Sequence, residues 1–156
     1  MSIATALDAL RRLRLLLAEE VERARDERRL LRGLDGTALL ERASGRARFN
    51  AQLAEAELAV AEGLRALAAR AGLTELSLEA LRRLAPLEAR AFEDGLGEVR
   101  ALAEALNDLD TLNRKLAQRA MRVVGGYLDA VTPQTAGYDR RGTRPAPRLS
   151  SLATRA

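Results

Sequence analysis

Apolar residues recur at alternating steps of three and four along much of the chain, which predicts long α-helices with one buried side. The most regular stretch lies in the second half of the sequence, and Asn113 is its one strongly polar member. Such a stretch is typical of a coiled-coil seam, in which a single buried Asn fixes the register of the packed helices. The seam consists of Val99, Leu102, Leu106, Leu109, Asn113, Leu116, Ala120, Val123, Tyr127 and Ala130.

Turn-forming residues divide the pattern into separate helices. Residues 33–36 contain two glycines and end the first helix, and Asp35 is placed to cap the second by accepting a backbone N–H. Gly72 suits the left-handed turn that ends the second helix, Ser77 suits the cap of a short third one, and Pro86 separates that helix from the last. The sequence therefore predicts helices over residues 3–32, 37–71, 78–84 and 87–131.

The predicted fold class is all-α, because strong helix formers dominate and strand formers are few. Helices of about 30 to 45 residues are roughly 45 to 68 Å long. We therefore expect an elongated antiparallel bundle of about three long helices, with a short helix before Pro86. After residue 132 the composition changes to Pro, Gly, Arg and Ser, which predicts a helical domain over 1–136 and a flexible basic tail over 137–156.

The charge distribution disfavours nucleic-acid binding by the predicted helical domain. The chain has 26 Lys and Arg against 22 Asp and Glu, a formal charge of +4. Residues 137–156 hold five Arg and one Asp, so residues 1–136 are neutral overall. Acids and bases alternate there, as they do on solvated helix faces. Only the tail has the excess of positive charge that an acidic surface would attract.

The composition also argues against enzymatic chemistry. The chain has no Cys and no His, and therefore no thiolate, imidazole or ordinary zinc ligand set. Acidic groups such as Glu19, Glu20 and Glu22 fit a solvated helix face, since a di-metal site in a helical bundle uses Glu-x-x-His motifs. We expect no catalytic residue, metal or cofactor. The longest apolar runs have four residues, which predicts no membrane insertion and a cytoplasmic protein.

The last helix has more apolar surface than contact with one neighbouring helix requires. Leu112, Val124, Leu128 and Val131 lie beside the seam. Either three helices of the chain converge on this surface, or another protein covers part of it. Glycines inside the same helix, at 95, 97, 125 and 126, also have two interpretations: close helix packing or a frayed end, or a hinge before Tyr127.

The sequence resembles the FlgN-type flagellar type III export chaperones in three places. In the first, residues 36–57 place Leu39, Leu40 and Leu53 around a charged segment, as in the second long helix of that family. In the second, residues 77–81 and then 109–116 resemble the family's third helix. Its motif has a Leu four residues before an Asn and a Leu three residues after it.

Leu109, Asn113 and Leu116 match that motif in this chain. In the third place, residues 138–142 resemble the Tyr-Gly-x-x-Gly signature of the family's tail, with Asp139 where the signature has its first Gly. The helical stretches share their spacing with many coiled coils, whereas the order of helix, Asn motif and tail is more selective.

This resemblance implies a cytoplasmic chaperone for hook-associated proteins, the subunits of the hook–filament junction. It would bind their C-terminal amphipathic helices, prevent premature assembly, and deliver them to the cytosolic domain of the membrane export gate. The resemblance assigns Tyr138 and Gly142 to docking at that gate. It assigns client binding to Leu106, Leu109, Leu112, Asn113, Leu116, Val123 and Val124.

Two functions of other classes stay open at the level of sequence. A structural coiled-coil protein would bury the surplus apolar surface by self-association. An Arg-rich tail could bind nucleic acid, with an affinity that falls steeply with salt concentration.

Overall fold

The computed structural model describes residues 3–131 and is all-helical over that range. Its helices are α1 (Ile3–Gly33), α2 (Gly36–Arg70), α3 (Leu78–Leu84) and α4 (Pro86–Val131). Each boundary agrees with the predicted one to within one residue, and no strand occurs among the described residues.

The helix ends use the residues that the sequence predicts for them, with one exception. The Asp35 carboxylate accepts a hydrogen bond from the N–H of Ala38, 3.0 Å away, and the Ser77 hydroxyl accepts one from the N–H of Ala80, 3.1 Å away. Gly72 has a positive φ of 70° and ends α2. Pro86 is the first residue of α4, a position where its missing N–H leaves no helical hydrogen bond unmade.

The exception is the end of α1. The N–H of Asp35 donates to the carbonyl of Leu30 over 3.2 Å, which makes Leu34 the residue in the left-handed position, with φ of 53°. Glycine is favoured at that position because it has no Cβ. In this chain Gly33 lies one residue too early to take it.

Contacts divide the chain into two compact units, Met1–Ala120 and Met121–Ala156. The first unit contains α1, α2, α3 and most of α4. The second contains, in its described part, the final residues 121–131 of α4. The predicted domain boundary at residue 136 lies outside the described residues.

The core of the first unit forms around the buried side of α1. Ala6 and Leu13 are buried on this side, whereas Ile3 and Leu7 are only half-buried. Six of the eight buried positions of α1 alternate in steps of four and three, as in a coiled coil: Ala6, Leu10, Leu13, Leu17, Glu20 and Ala24. Val21 and Leu31 are also buried. The other helices contribute Phe49, Ala56, Leu81, Ala89, Phe92, Leu106 and Leu109.

Two glycines show how closely the helices of the first unit approach one another. A Cβ at Gly63 of α2 would lie 2.8 Å from the Cβ of Ala6 in α1, and one at Gly95 of α4 would lie 2.8 Å from a methyl group of Leu10. Both distances are shorter than a normal carbon–carbon contact. The prediction of close packing is thus confirmed at Gly95, and Gly63 makes a second such contact.

Named contacts also give the direction of each long helix in the first unit. Arg12 of α1 pairs with Glu55 of α2, and further along α1 Glu20 pairs with Arg42, so α1 and α2 are antiparallel. On α4, Gly95 lies against Leu10 and Asn113 against Ala24 of α1, so α1 and α4 run in the same direction. Long helices that follow one another in sequence are therefore antiparallel.

Candidate functional site

A charged cluster lies inside the first unit, between α1, α2 and α4. The Glu20 side chain has 0% of its surface exposed, and its Oε1 accepts hydrogen bonds from Arg42 Nη2 at 2.6 Å and Arg46 Nη1 at 2.9 Å. Arg46 also donates to both carboxylate oxygens of Asp110 on α4. Arg42 Nε lies 3.1 Å from a Glu27 carboxylate oxygen. Paired charges of this kind tolerate burial because each has a partner.

Arg46 is the residue that connects all three helices. Burial by itself would lower the pKa of its guanidinium, but the hydrogen bonds and charges of Asp110 and Glu20 outweigh burial and raise that pKa. Its guanidinium carbon also lies 5.3 Å from the centre of the Phe49 ring, within the range of a cation–π contact. Arg46 therefore keeps its charge at neutral pH in spite of its partial burial.

Asn113 lies at the end of this cluster and is 3% exposed. Its amide nitrogen Nδ2 donates to the carbonyl of Ala24 over 2.7 Å, which fixes the orientation of the amide. Its Oδ1 and the Nη1 of Arg42 are both buried, and neither has a hydrogen-bond partner in the described part of the chain. Buried polar groups without partners are rare in folded proteins.

An open trough of about 320 Å³ lies beside these two groups. We call it the α2–α4 trough, because α2 and α4 form its walls and α1 contributes one residue. Each wall uses four positions spaced i, i+3, i+4 and i+7, which is one face of a helix. The lining residues are Leu39, Arg42, Ala43 and Arg46 of α2, Asp110, Asn113, Arg114 and Ala117 of α4, and Glu27 of α1.

The predicted client-binding residues of the first unit fall into two groups. Leu106, Leu109 and Asn113 are buried in the core that α4 shares with α1 and α2. Leu116 is half-buried, and Leu112 is 41% exposed. Residues 106–116 of α4 therefore have accessible apolar side chains at Leu112 and Leu116, next to buried ones.

The two predicted residues of the second unit are exposed. Val123 is 67% exposed, and Val124 is also among the exposed apolar residues. At 100° per residue, the large apolar side chains of this segment share one face of about 160°. That face consists of Met121, Val123, Val124, Tyr127, Leu128 and Val131, all exposed, and we call it the terminal apolar face.

At the other three glycines inside α4, an added Cβ would meet no steric obstacle. A Cβ at Gly97, Gly125 or Gly126 would have no atom within 4 Å. Close packing thus does not explain these three residues. The hinge interpretation of Gly125 and Gly126 stays a prediction, and Tyr138 and Gly142 lie outside the described residues.

In the part of the chain that the structure describes, no group of three or more acidic residues could hold a metal ion, and none of the helices is long and apolar enough to cross a bilayer. What these residues offer is apolar surface and a polar trough.

A family model described as "FlgN protein" matches residues 1–146. The chain therefore belongs to the FlgN family of flagellar export chaperones, as the motif order predicts. This is a family of chaperones rather than of enzymes. No curated protein and no solved structure matches the chain.

Sequence reasoning missed the charged cluster. The charge pattern predicts a solvated face for Glu20, whereas the structure buries it against Arg42 and Arg46. A signal was present, because Glu20 continues the four–three alternation of Ala6, Leu10, Leu13 and Leu17. An acid at a seam position, together with two Arg at the expected core positions of the next helix, predicts a buried ion-pair cluster.

Proposed function

We propose that this protein is a cytoplasmic chaperone that binds the C-terminal amphipathic helix of hook-associated proteins. Binding covers a helix that would otherwise drive premature assembly, and the chaperone then delivers its client to the export gate. The family supports a flagellar export chaperone in general. The client, the binding surface and the gate are our proposal.

The terminal apolar face is the observation that carries this proposal. Six large apolar side chains are exposed together on one side of residues 121–131. An apolar helix face of this kind is covered by the apolar face of a second amphipathic helix. A hook-associated C-terminal helix has that chemistry, and covering it hides the surface through which such subunits assemble.

The predicted residues of the first unit have different roles in this proposal. Leu112 and Leu116 offer accessible apolar surface to the client. Leu106, Leu109 and Asn113 act from beneath, because they hold α4 against α1 and α2 in the orientation that presents that surface. Tyr138 and Gly142 are proposed to dock at the cytosolic domain of the export gate, on the strength of the tail signature alone.

Calorimetry with purified hook-associated proteins of the same bacterium tests client binding. We expect Val124→Asp to weaken binding at least about tenfold, because it places a charge in the centre of the apolar contact. Ala101→Asp is the matched control: Ala101 is an exposed residue of α4 in the first unit, and we expect it to leave affinity unchanged within about twofold. Clients without their C-terminal helix should not bind.

A second experiment separates the two proposed sites. Tyr138→Ala should retain client affinity and weaken binding to the purified cytosolic domain of the export gate, whereas Leu116→Glu should do the reverse. Equal loss of client binding in both variants would contradict the two-site proposal. Light scattering of the protein alone tests the structural alternative, since a tight homodimer that buries the terminal apolar face would favour self-association.

A further inference from the structure

Three guanidinium groups and two carboxylates line the α2–α4 trough. Glu27 pairs with Arg42 and Asp110 with Arg46, whereas Arg114 lies exposed on the wall and has no ion pair among the described residues. The buried Glu20 pairs with Arg42, Arg46 and Arg23 but does not line the trough. A further positive charge in the trough would therefore be unfavourable.

Hydrogen bonding is also incomplete beside the trough. Among the described residues, Arg42 Nη1 is a buried donor without an acceptor, and Asn113 Oδ1 is a buried acceptor without a donor. Arg42 Nε and Glu20 Oε2 also lack a hydrogen bond, but each lies near an opposite charge, Glu27 at 3.1 Å and Arg23 at 3.6 Å. Asn113 cannot reverse its amide to donate into the trough, because its Nδ2 already donates to the carbonyl of Ala24 and reversal would place two oxygens together. Two residues that line the trough, Arg42 and Asn113, thus have an unpaired donor and an unpaired acceptor.

We propose that the α2–α4 trough receives the side chain of a glutamine or asparagine on a helix of the client. The amide oxygen of that residue accepts from Arg42 Nη1, and its NH₂ group donates to Asn113 Oδ1, with adjustment of side chains only. This inference rests on the proposed chaperone function. It adds a polar anchor, formed by α2 and α4 of the first unit, to the apolar contacts proposed above.

A carboxamide fits the trough better than the other common side chains do. A carboxylate could accept from Arg42 and pair with Arg114, but it would offer no donor to Asn113 Oδ1, which would stay without a hydrogen bond. A lysine would repeat the positive charge of three arginines. An apolar side chain would leave both buried groups without partners, which is unfavourable. The walls of the trough include the small residues Ala43 and Ala117, which leave space for one such side chain.

Filling the trough is the first test, measured as client affinity by calorimetry. Ala117→Leu places a larger side chain in the trough without changing any charge, and we expect affinity to fall about tenfold. Ala101→Leu, the same substitution at an exposed site of α4, should leave affinity unchanged within about twofold. Ala43→Leu fills the trough from the opposite wall, and it replaces Ala117→Leu if circular dichroism shows that the latter does not fold.

A double-mutant cycle identifies the anchor residue. Each Gln and Asn of the client's C-terminal helix is replaced by Leu, and each variant is measured against the unaltered chaperone and against Asn113→Leu. We expect one client position at which affinity falls about tenfold, with no further loss when both substitutions are combined. A carboxylate of the client that couples in this way instead, or the absence of any coupled position, would overturn the inference.

The two proposals fail in different ways. If the unaltered chaperone binds no hook-associated protein, both are overturned. If it binds and Val124→Asp weakens binding, but both trough-filling variants bind as the unaltered protein does, then the polar anchor is wrong and the chaperone function stands.

Discussion

The two ends of the first unit hold their helices together by opposite means. At the end that contains Ala6, Leu10, Gly63 and Gly95, which we call the apolar end, the helices approach until side chains touch backbone. At the other end, which we call the charged end, three helices are joined by Glu20, Arg42, Arg46 and Asp110.

This difference explains where the molecule has room for a partner. Glycine and alanine at the apolar end let helices pack without a gap. Arginine is long and needs several hydrogen-bond acceptors, so the charged end keeps α2 and α4 far enough apart to leave the α2–α4 trough. The comparison teaches that the helices pack closely where the seam of α1 is apolar, and that an open polar trough forms where Glu20 replaces an apolar residue in that seam.

Glu20→Ala should have the largest effect and would break the charged end. It leaves Arg42 with Glu27 and Arg46 with Asp110 as their remaining counterions. Removal of one member of a buried ion-pair cluster costs about 3–5 kcal/mol. Urea denaturation measures the change in the free energy of unfolding. Glu22→Ala is the control, because Glu22 is exposed and its one ion pair within residues 3–131 is with Arg25. It should change stability by less than about 1 kcal/mol. Similar results for the two variants would mean that Glu20 is not the structural centre of this end.

Gly63→Ala tests the apolar end. The new Cβ would lie 2.8 Å from the Cβ of Ala6 and 3.1 Å from its backbone, so one of the two helices must move. Overpacking of this kind costs about 1–3 kcal/mol, against a gain of up to about 1 kcal/mol from better helix propensity. We therefore expect a net loss of stability in urea denaturation.

Two further variants test the cause of that loss. Adding Ala6→Gly removes the nearer atom and should recover part of the stability that Gly63→Ala loses. Gly45→Ala has no atom within 4 Å of the new Cβ and should stabilise the protein by about 0.5–1 kcal/mol. A stabilising Gly63→Ala would mean that the two helices are not in close contact.

Much of this fold follows from local sequence. The steps of three and four predict the helices, and Asp35, Gly72, Ser77 and Pro86 predict their ends, because capping and turn formation involve only a few neighbouring residues. Burial of Asn113 also follows, since it occupies a seam position. Local rules are less informative where two residues compete for one role, as Gly33 and Leu34 do at the end of α1.

The candidate site depends on contacts between distant parts of the chain, and these were harder to predict. The same four–three pattern continues from Leu109 to Val123, yet Leu109 is buried and Val123 is exposed. Periodicity shows which face of a helix is apolar, but not whether another helix of the chain covers it. In the same way, Arg46 meets Asp110 across 64 residues of sequence, and no local rule pairs them.

Leu34→Gly tests the turn between α1 and α2, which follows the charged end of α1. Leu34 has φ of 53°, a conformation that is unfavourable for a residue with a Cβ, so glycine should stabilise the protein by about 1 kcal/mol. Leu40→Gly is the matched control. Leu40 is an exposed residue inside α2, where the same substitution should destabilise by about 1 kcal/mol. Thermal unfolding should therefore show shifts of opposite sign, and two losses would contradict the left-handed conformation of Leu34.

The smallest expected effect is at the apolar end, where α3 joins α4. Arg82 Nε donates to a Glu93 carboxylate oxygen over 2.6 Å, and this hydrogen bond lowers the pKa of Glu93. A lowered pKa in the folded state contributes stability above the pKa of the unfolded chain, about 4.3, and that contribution is lost as pH falls through the lowered value.

Glu93→Gln should therefore make the decrease of stability in acid shallower, as measured by thermal unfolding over a series of pH values. Asp94→Asn, at a neighbouring exposed residue, is the control and should follow the unaltered protein more closely. Because the pair lies at the surface, the difference should be small beside that of Glu20→Ala, whose charge has no access to water. If Glu93→Gln and Glu20→Ala changed stability equally, burial would not distinguish the ion pair at the apolar end from those at the charged end.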